Sequence, residues 1–347
     1  MIIVRTPFRL PLGGGGTDLP AYYEKYGGFL ITAAVNKYMF LSINRPALVR
    51  RMRLAYSKVE NVAIGDYDAI QHDVVRETFR HFQVNCPIEV TSVADIGAGT
   101  GMGSSSSYTV GLLNGLNAML RRHLPIQGLA EEACMVEMEL ARKPVGKQDA
   151  YAAAFGGIIA MEITKEGVVT VKPLALEDET ILELESRLMM FYTGIQRDAS
   201  EILAEQGEKV RVTAEDATNA MHRIKEIGYL SKEAMEAGDI TRLGQLMHEH
   251  WETKKRVSTK MSNPDIDRWY DLAMQNGALG GKLMGAGGGG FLLFCTEPGA
   301  RRNLRLAFQK EGLQNMDFRF DWDGSRVLVN FGDDGHYQRQ AERAEQP

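Results

Sequence analysis

The sequence predicts an α+β protein in two parts, and three observations carry that prediction. Segments rich in β-branched and aromatic residues alternate with amphipathic helical segments along the 347 residues. A charged stretch at residues 176–183 marks a boundary, so that residues 1–180 form one domain and residues 181–347 a second. The second part reads β, α, β, β, α, β, the order expected when helices pack on one face of an antiparallel sheet. With 44% hydrophobic and 24% charged residues, the chain can bury a core in each part.

Residues 1–12 read as a strand broken by Pro7, after which Gly13-Gly14-Gly15-Gly16 delivers Thr17 and Asp18 on a turn. A short helix is expected at 19–26, then separate strands at 29–32, 38–43 and 52–56. Residues 68–82 carry Ile70, Val74, Val75 and Phe79 on one helical stripe, and 87–93 form a strand. That strand feeds the loop Asp95 to Ser107, and Val110, Leu113, Leu116 and Leu120 then recur at helical spacing. Residues 127–142 form a further helix, in which Glu137 and Glu139 both flank the apolar stripe, and the helical wheel leaves open which of them faces inward. Gly146-Lys147-Gln148-Asp149 starts a short helix at 150–155, for which Asp149 could serve as N-cap. Strands at 158–161 and 168–171 complete the first part. In the second part a strand at 188–192 precedes helices over much of 199–238, 239–251 and 265–276. A second glycine cluster, Gly285 to Gly290, runs into a strand at 291–294. A helix near 301–311 and strands near 318 and at 327–331 finish the chain, whose polar tail follows Gly332.

The loop Gly97-Ala98-Gly99-Thr100-Gly101-Met102-Gly103-Ser104-Ser105-Ser106 lies between a strand and a helix, where a phosphate site belongs. Its glycines let backbone N–H groups turn inward, and the helix N-terminus adds unpaired donors and partial positive charge. The serines are expected as N-caps, with one hydroxyl free to reach a phosphate or its Mg²⁺. No Gly-Lys-Ser/Thr ending follows, so this is not a P-loop, and the element lies too far along the chain for a first dinucleotide-binding turn.

A net charge of −5 with no basic block gives no support for a nucleic-acid or membrane partner. The N-terminus lacks a signal-peptide pattern and no apolar run reaches membrane-spanning length, so a cytoplasmic location is expected. Cys86, Cys134 and Cys295 are odd in number and widely spaced, which fits reduced thiols rather than disulfides or zinc. A homodimer is one admissible assembly.

Three separated motifs, Pro7-Phe8-Arg9 through Thr17-Asp18, Gly101 to Ser106, and Lys282-Leu283-Met284-Gly285-Ala286-Gly287-Gly288-Gly289, resemble the signatures of the GHMP kinase superfamily, in the family's order. Together with Gly146 to Asp149 they tie nearly the whole chain to it. Within the superfamily, the stretches Arg9 to Asp18 and Pro144 to Tyr151 resemble bacterial D-glycero-D-manno-heptose 7-phosphate kinases. The resemblance implies an N-terminal domain like ribosomal protein S5 domain 2, a ferredoxin-like C-terminal domain, and an active site between them. It implies ATP as donor bound by Gly97 to Ser106, Mg²⁺ on Glu137 and Ser106 or its neighbour Ser105, and Asp149 as the carboxylate that orients or deprotonates the attacking hydroxyl. Arg9 would neutralise charge on the transferring group, and Thr17 and Asp18 would contact sugar hydroxyls beside Gly15 and Gly16. The separation from Glu137 to Asp149 matches galactokinase-type members, which settles the choice against Glu139.

One departure matters. Galactokinases carry Glu-His where this chain has Gly15-Gly16, which removes a hexose contact and leaves room for a bulkier or phosphorylated sugar. A sugar phosphate is therefore the expected partner, its distal phosphate held by Arg197, with Lys25 second. The competing readings are a kinase for another sugar such as fucose, a decarboxylase of the mevalonate branch, and a non-catalytic nucleotide- or sugar-binding protein.

Overall fold

The computed structural model describes residues 1–195, 215–257, 261–285 and 287–331. The first sheet is built on two long strands, β1 (Ile2–Gly13) and β2 (Gly28–Asn44). β2 replaces the two short strands expected from composition. Its first residues pair with β6 (Ile158–Ile163) and its last with β5 (Ile88–Ala94), while β1 runs along almost its whole length. Ladder partners on both sides override the weak strand propensity of Ala33, and Ala34 is held opposite Arg9 of β1.

Pro7 does not break β1. It sits where the register slips, Pro7 opposite Tyr38 and Phe8 opposite Val35, so its missing N–H falls at a bulge. β3 (Met52–Ala55) lies parallel to β5 and β4 (Val59–Val62) closes that side; β7 (Val169–Pro173) pairs with β6. The expected helix at 68–82 is a 3₁₀ turn, Tyr67–Ala69, followed by α2 (Asp73–His81), and the short α1 (Pro20–Tyr26) appears where expected. Covering helices α3 (Ser104–Met119), α4 (Ile126–Cys134) and α5 (Gln148–Phe155) bury Leu112, Leu116, Ala133 and Ala153 against the sheet. α4 continues as a single π turn, Met135–Leu140, closed by Ala141 N–H donating to the Val136 carbonyl.

In the second half, α6 (Asp178–Arg187) occupies the charged stretch and leads into β8 (Leu188–Tyr192). After α7 (Glu215–Glu236), α8 (Ile240–Lys255) and α9 (Pro264–Gln275) come β9 (Ala278–Leu283), β10 (Phe291–Thr296), α10 (Arg301–Lys310) and β11 (Gln314–Met316). The sheet order is β11-β8-β10-β9, all antiparallel.

Helices cover both faces of this sheet rather than one. Successive side chains alternate, so Met189, Phe191, Leu292 and Phe294 pack with Ile266, Leu304 and Phe308, whereas Leu188, Met190, Leu293 and Cys295 join Leu243, Leu246 and the core of the first half. The final strand also differs from expectation. β12 (Arg326–Asn330) pairs with β1, in the first sheet, not with the second-half strands. No helix among the described residues is long and apolar enough to cross a membrane, and all three cysteines are free thiols.

The returning chain crosses the first half at Gly156, which adopts φ 72°, ψ −173° at the end of α5, a conformation open essentially to glycine alone. A Cβ there would lie 2.3 Å from Gly324 N. Gly156→Ala is expected to cost about 2–4 kcal/mol from strain and overpacking. A urea midpoint within error of wild type would show that this crossing tolerates a side chain.

Candidate functional site

β1 carries Arg9 past the bulge at Pro7, whose carbonyl accepts from Ser107 Oγ at 2.8 Å, so the start of α3 is fastened to the same strand. The Arg9 side chain, 7% exposed, forks onto Asp149: Nε donates to Oδ1 at 2.7 Å and Nη2 to Oδ2 at 3.1 Å. Its remaining nitrogen, Nη1, donates to the Gly101 carbonyl at 2.6 Å, and the Arg9 amide donates to the Met102 carbonyl at 3.2 Å. One guanidinium thus joins β1, the glycine loop and the first turn of α5. Asp149, still 27% exposed, is not the N-cap of α5; that position is Lys147, with no side-chain cap bond.

The loop folds as an anion site requires. Gly99, Gly101 and Gly103 have φ of 75°, 78° and 78°, and Gly103 is itself the N-cap of α3. The expected serine caps are absent because the serines sit inside the helix. Ser107 N–H makes the first intrahelical bond, to the Gly103 carbonyl, which leaves the amides of Ser104, Ser105 and Ser106 without an intrahelical acceptor. Met102 is fully buried, so only its backbone can serve the loop; Gly97 lies at the exposed rim, where its carbonyl accepts from Thr100 Oγ1 at 3.0 Å. A Cβ on Gly103 would press on the Asp149 carboxylate at 3.1 Å.

The two glycine clusters touch backbone to backbone. A Cβ on Gly285 would fall 2.6 Å from Gly101 Cα, and one on Gly290 would fall 2.3 Å from the Thr100 carbonyl oxygen. The second cluster therefore acts as a wall against the loop.

Glu137 faces the serines, and Glu139 is exposed. Ser105 Oγ donates to Glu137 Oε1 at 2.8 Å, Ser106 Oγ to Oε2 at 2.5 Å, and Thr109 Oγ1 to Oε1 at 3.1 Å. Burial pushes the Glu137 carboxyl above its ordinary range, although the Ser106 and Ser105 hydroxyls and Lys143 oppose the shift. The wheel could not separate the two glutamates because it assumed an α-helical period through what is a π turn.

Thr17 and Asp18 are spent differently from expectation. The fully buried Thr17 hydroxyl lies 2.8 Å from both the Gly14 and Phe29 carbonyl oxygens, which share its single proton, and accepts from Phe29 N–H at 3.1 Å, so it holds the turn and faces no cleft. Asp18 Oδ1 accepts from Gly16 N–H at 3.1 Å and Oδ2 from Gln148 N–H at 2.9 Å, capping α5 from across the site. Burial raises the Asp18 pKa, aided by the Asp149 charge and opposed by these amide bonds.

The glycine run is only partly a vacancy. Gly13 abuts Ser231 on α7, and a Cβ on Gly14 would strike the Phe29 carbonyl oxygen at 2.2 Å, so these two glycines admit protein. A Cβ on Gly15 would meet the tip of Gln148 at 3.5 Å and Pro11 Cβ at 3.9 Å, and one on Gly16 the tip of Met221 at 3.6 Å, so the room is confined to these two. Arg197 lies outside the described residues.

Sequence reasoning missed Lys282 and Lys254. Lys282 is 2% exposed on β9 and has no hydrogen-bond partner among the described residues; Lys254 Nζ, on α8, donates to the Gly285 carbonyl at 3.2 Å. The available signal was a lysine inside an otherwise apolar, glycine-containing strand.

Comparisons with known proteins agree with this geometry. Residues 68–157 match the GHMP kinases N terminal domain and residues 231–314 match GHMP kinases C terminal. A D-glycero-alpha-D-manno-heptose 7-phosphate kinase of Campylobacter jejuni is 32% identical, over 93% of this chain and 97% of its own. A galactokinase of Pyrococcus furiosus is 26% identical over 69% of this chain and 72% of its own. Among solved structures, a D-glycero-D-manno-heptose 1-phosphate kinase from Bacteroides thetaiotaomicron superposes with a TM-score of 0.79 at 27% identity, covering 96% of this chain and all of that one. The paired glycine clusters, the Arg9–Asp149 fork and these likenesses lead to one conclusion: the chain belongs to the GHMP kinases, and is a phosphotransferase that draws on ATP.

Proposed function

We propose that this enzyme phosphorylates the anomeric hydroxyl of D-glycero-D-manno-heptose 7-phosphate, giving the 1,7-bisphosphate for nucleotide-activated heptose synthesis in the cytoplasm. The observation that carries the reaction is the Arg9–Asp149 fork standing between the glycine loop and the Gly15-Gly16 turn. The acceptor is supported by the 32% identity to the Campylobacter jejuni heptose 7-phosphate kinase.

In this reading the loop amides and the free N–H groups of Ser104, Ser105 and Ser106 receive the phosphates of ATP. The sugar hydroxyl lies against Asp149. As its oxygen bonds to the γ-phosphorus, the bond to the ADP oxygen breaks and the hydroxyl proton passes to the Asp149 carboxylate. Arg9 fixes that carboxylate in one rotamer through two parallel bonds, which keeps its free lone pairs directed at the acceptor. Asp18 supports the chemistry by holding the first amide of α5, and so the turn that bears Asp149. Thr17 acts through the turn backbone.

The hydroxyls of Ser105 and Ser106 and the Glu137 carboxylate are a hard oxygen set suited to Mg²⁺, and the buried charge on Glu137 would be compensated by a cation. Among the described residues no group of three His, Cys, Asp or Glu could hold a metal. When bound, Mg²⁺ would neutralise charge on the β- and γ-phosphates.

³¹P NMR of ATP turnover against heptose 7-phosphate, unphosphorylated heptose, L-fucose and galactose tests the acceptor. A new anomeric phosphate signal on heptose 7-phosphate is expected, and equal use of free heptose would replace the proposed acceptor with a plain sugar.

Asp149→Asn is expected to lower kcat by about two to four orders of magnitude with nucleotide affinity nearly intact. Turnover within threefold of wild type would reduce the carboxylate to a partner for Arg9. Glu137→Gln is expected to raise the Mg²⁺ concentration for half-maximal rate by about tenfold or more, and Glu139→Gln to leave it unchanged. Equal Mg²⁺ titrations for the two variants would remove Glu137 from the metal site.

A further inference from the structure

Lys282, Lys254 and His250 form a cluster of basic side chains that the mechanism above leaves unused. Lys282 belongs to the face of β9 opposite Leu283, the face that β10 continues with Leu293 into the core shared by the two halves. It is 2% exposed, and neither its ammonium nor either ring nitrogen of the buried His250 has a hydrogen-bond partner among the described residues. A buried ammonium without partners is costly and persists where it serves a ligand or sheds its proton. The groups that act on it are of one sign: Lys254 and Arg9 both disfavour its charged form. His250 in turn feels Lys282 and Lys254, and Lys254 feels Arg9, with only Asp18 opposing. Lys254 also bonds the Gly285 carbonyl on the wall that touches Gly101, so the cluster adjoins the reacting centre.

We propose that Lys282 and Lys254, beside Arg9, form a buried subsite for a phosphate dianion, entered either by the phosphate that the acceptor already carries or by the γ-phosphate of the donor. The first source rests on the proposed acceptor and the second does not. In the empty protein, burial and neighbouring cations hold Lys282 well below the ordinary lysine pKa and pull Lys254 down to about 8. His250 is held neutral by the same causes. An arriving dianion supplies the missing counter-charge, and each lysine that was neutral takes a proton from solvent. Binding at this subsite is thus coupled to proton uptake. Because the bound state holds more protons, affinity falls as pH rises, by up to tenfold per pH unit for each proton taken up.

Calorimetric titration at pH 8 in two buffers of different ionisation enthalpy reads this uptake directly. Three probes separate the sources: heptose 7-phosphate, a non-hydrolysable ATP analogue and inorganic phosphate. At least one is expected to bind with uptake of about half a proton or more. In Lys282→Met that uptake falls by the share of Lys282 and affinity for the same probe drops about tenfold or more, while a probe that does not enter the cluster is unchanged. Lys254→Met, on the partly exposed α8, should show the same pattern, and its folding is checked with that of Lys282→Met by thermal melting. Uptake with heptose 7-phosphate alone assigns the cluster to the acceptor, and uptake with the ATP analogue alone assigns it to the donor. If heptose 7-phosphate fails to bind at all, the acceptor is wrong and the other two probes still decide the subsite. No uptake with any probe, or affinities within twofold of wild type in both variants, overturns it.

Discussion

The site depends on one guanidinium. Arg9 has three nitrogens and uses each within the site: two on Asp149 and one on the Gly101 carbonyl. A planar fork pairs with a carboxylate bidentately and leaves its third nitrogen pointing aside, a geometry that lysine cannot supply. The register slip at Pro7 leaves two residues of β2, Asn36 and Lys37, unmatched, so the alternation of side chains along β1 carries unbroken to Arg9. Ser107 then ties the bulge to α3, so strand, loop and helix are fixed relative to one another by neighbouring bonds.

A second constraint is space. The loops around Gly101 and Gly285 meet with no side chain between them, and Asp149 lies against Gly103. Close backbone approach brings the two glycine clusters into direct contact and sets the Asp149 carboxylate beside the start of α3. The same economy explains Gly13 and Gly14, whose missing side chains admit α7 and the Phe29 backbone rather than a ligand.

The motifs were legible because their chemistry is local. A glycine-rich loop between strand and helix could be read as an anion site from residue types alone, whereas the roles of Asp149 and Arg9 rest on the resemblance of their motifs to the GHMP kinases. What escaped was whatever depends on partners distant in sequence. Thr17 and Asp18 read as ligand contacts because both are polar and follow glycines, yet the Phe29 carbonyl and the Gln148 amide claim them. The serines read as caps because Ser commonly caps helices, whereas the register begins one residue earlier, on a left-handed glycine. β2 read as two strands because propensity cannot register ladders on both sides, and the π turn misled a wheel drawn at α-helical pitch. Lys282 passed as part of a motif, since burial is not a property of the residue itself.

The placement of β12 bears on how the chain can assemble. Ile2 pairs with Asn330, so the strand that carries Arg9 finds one of its two neighbours only after Asn330 has left the ribosome. Until then β1 presents an open row of amides and carbonyls, the kind of edge that recruits other strands. Closing so long a loop adds little to the equilibrium cost, which grows only logarithmically, but contacts of this range slow folding. The first half is thus an unfinished sheet during synthesis, and completion of its sheet is a late event that waits on the second.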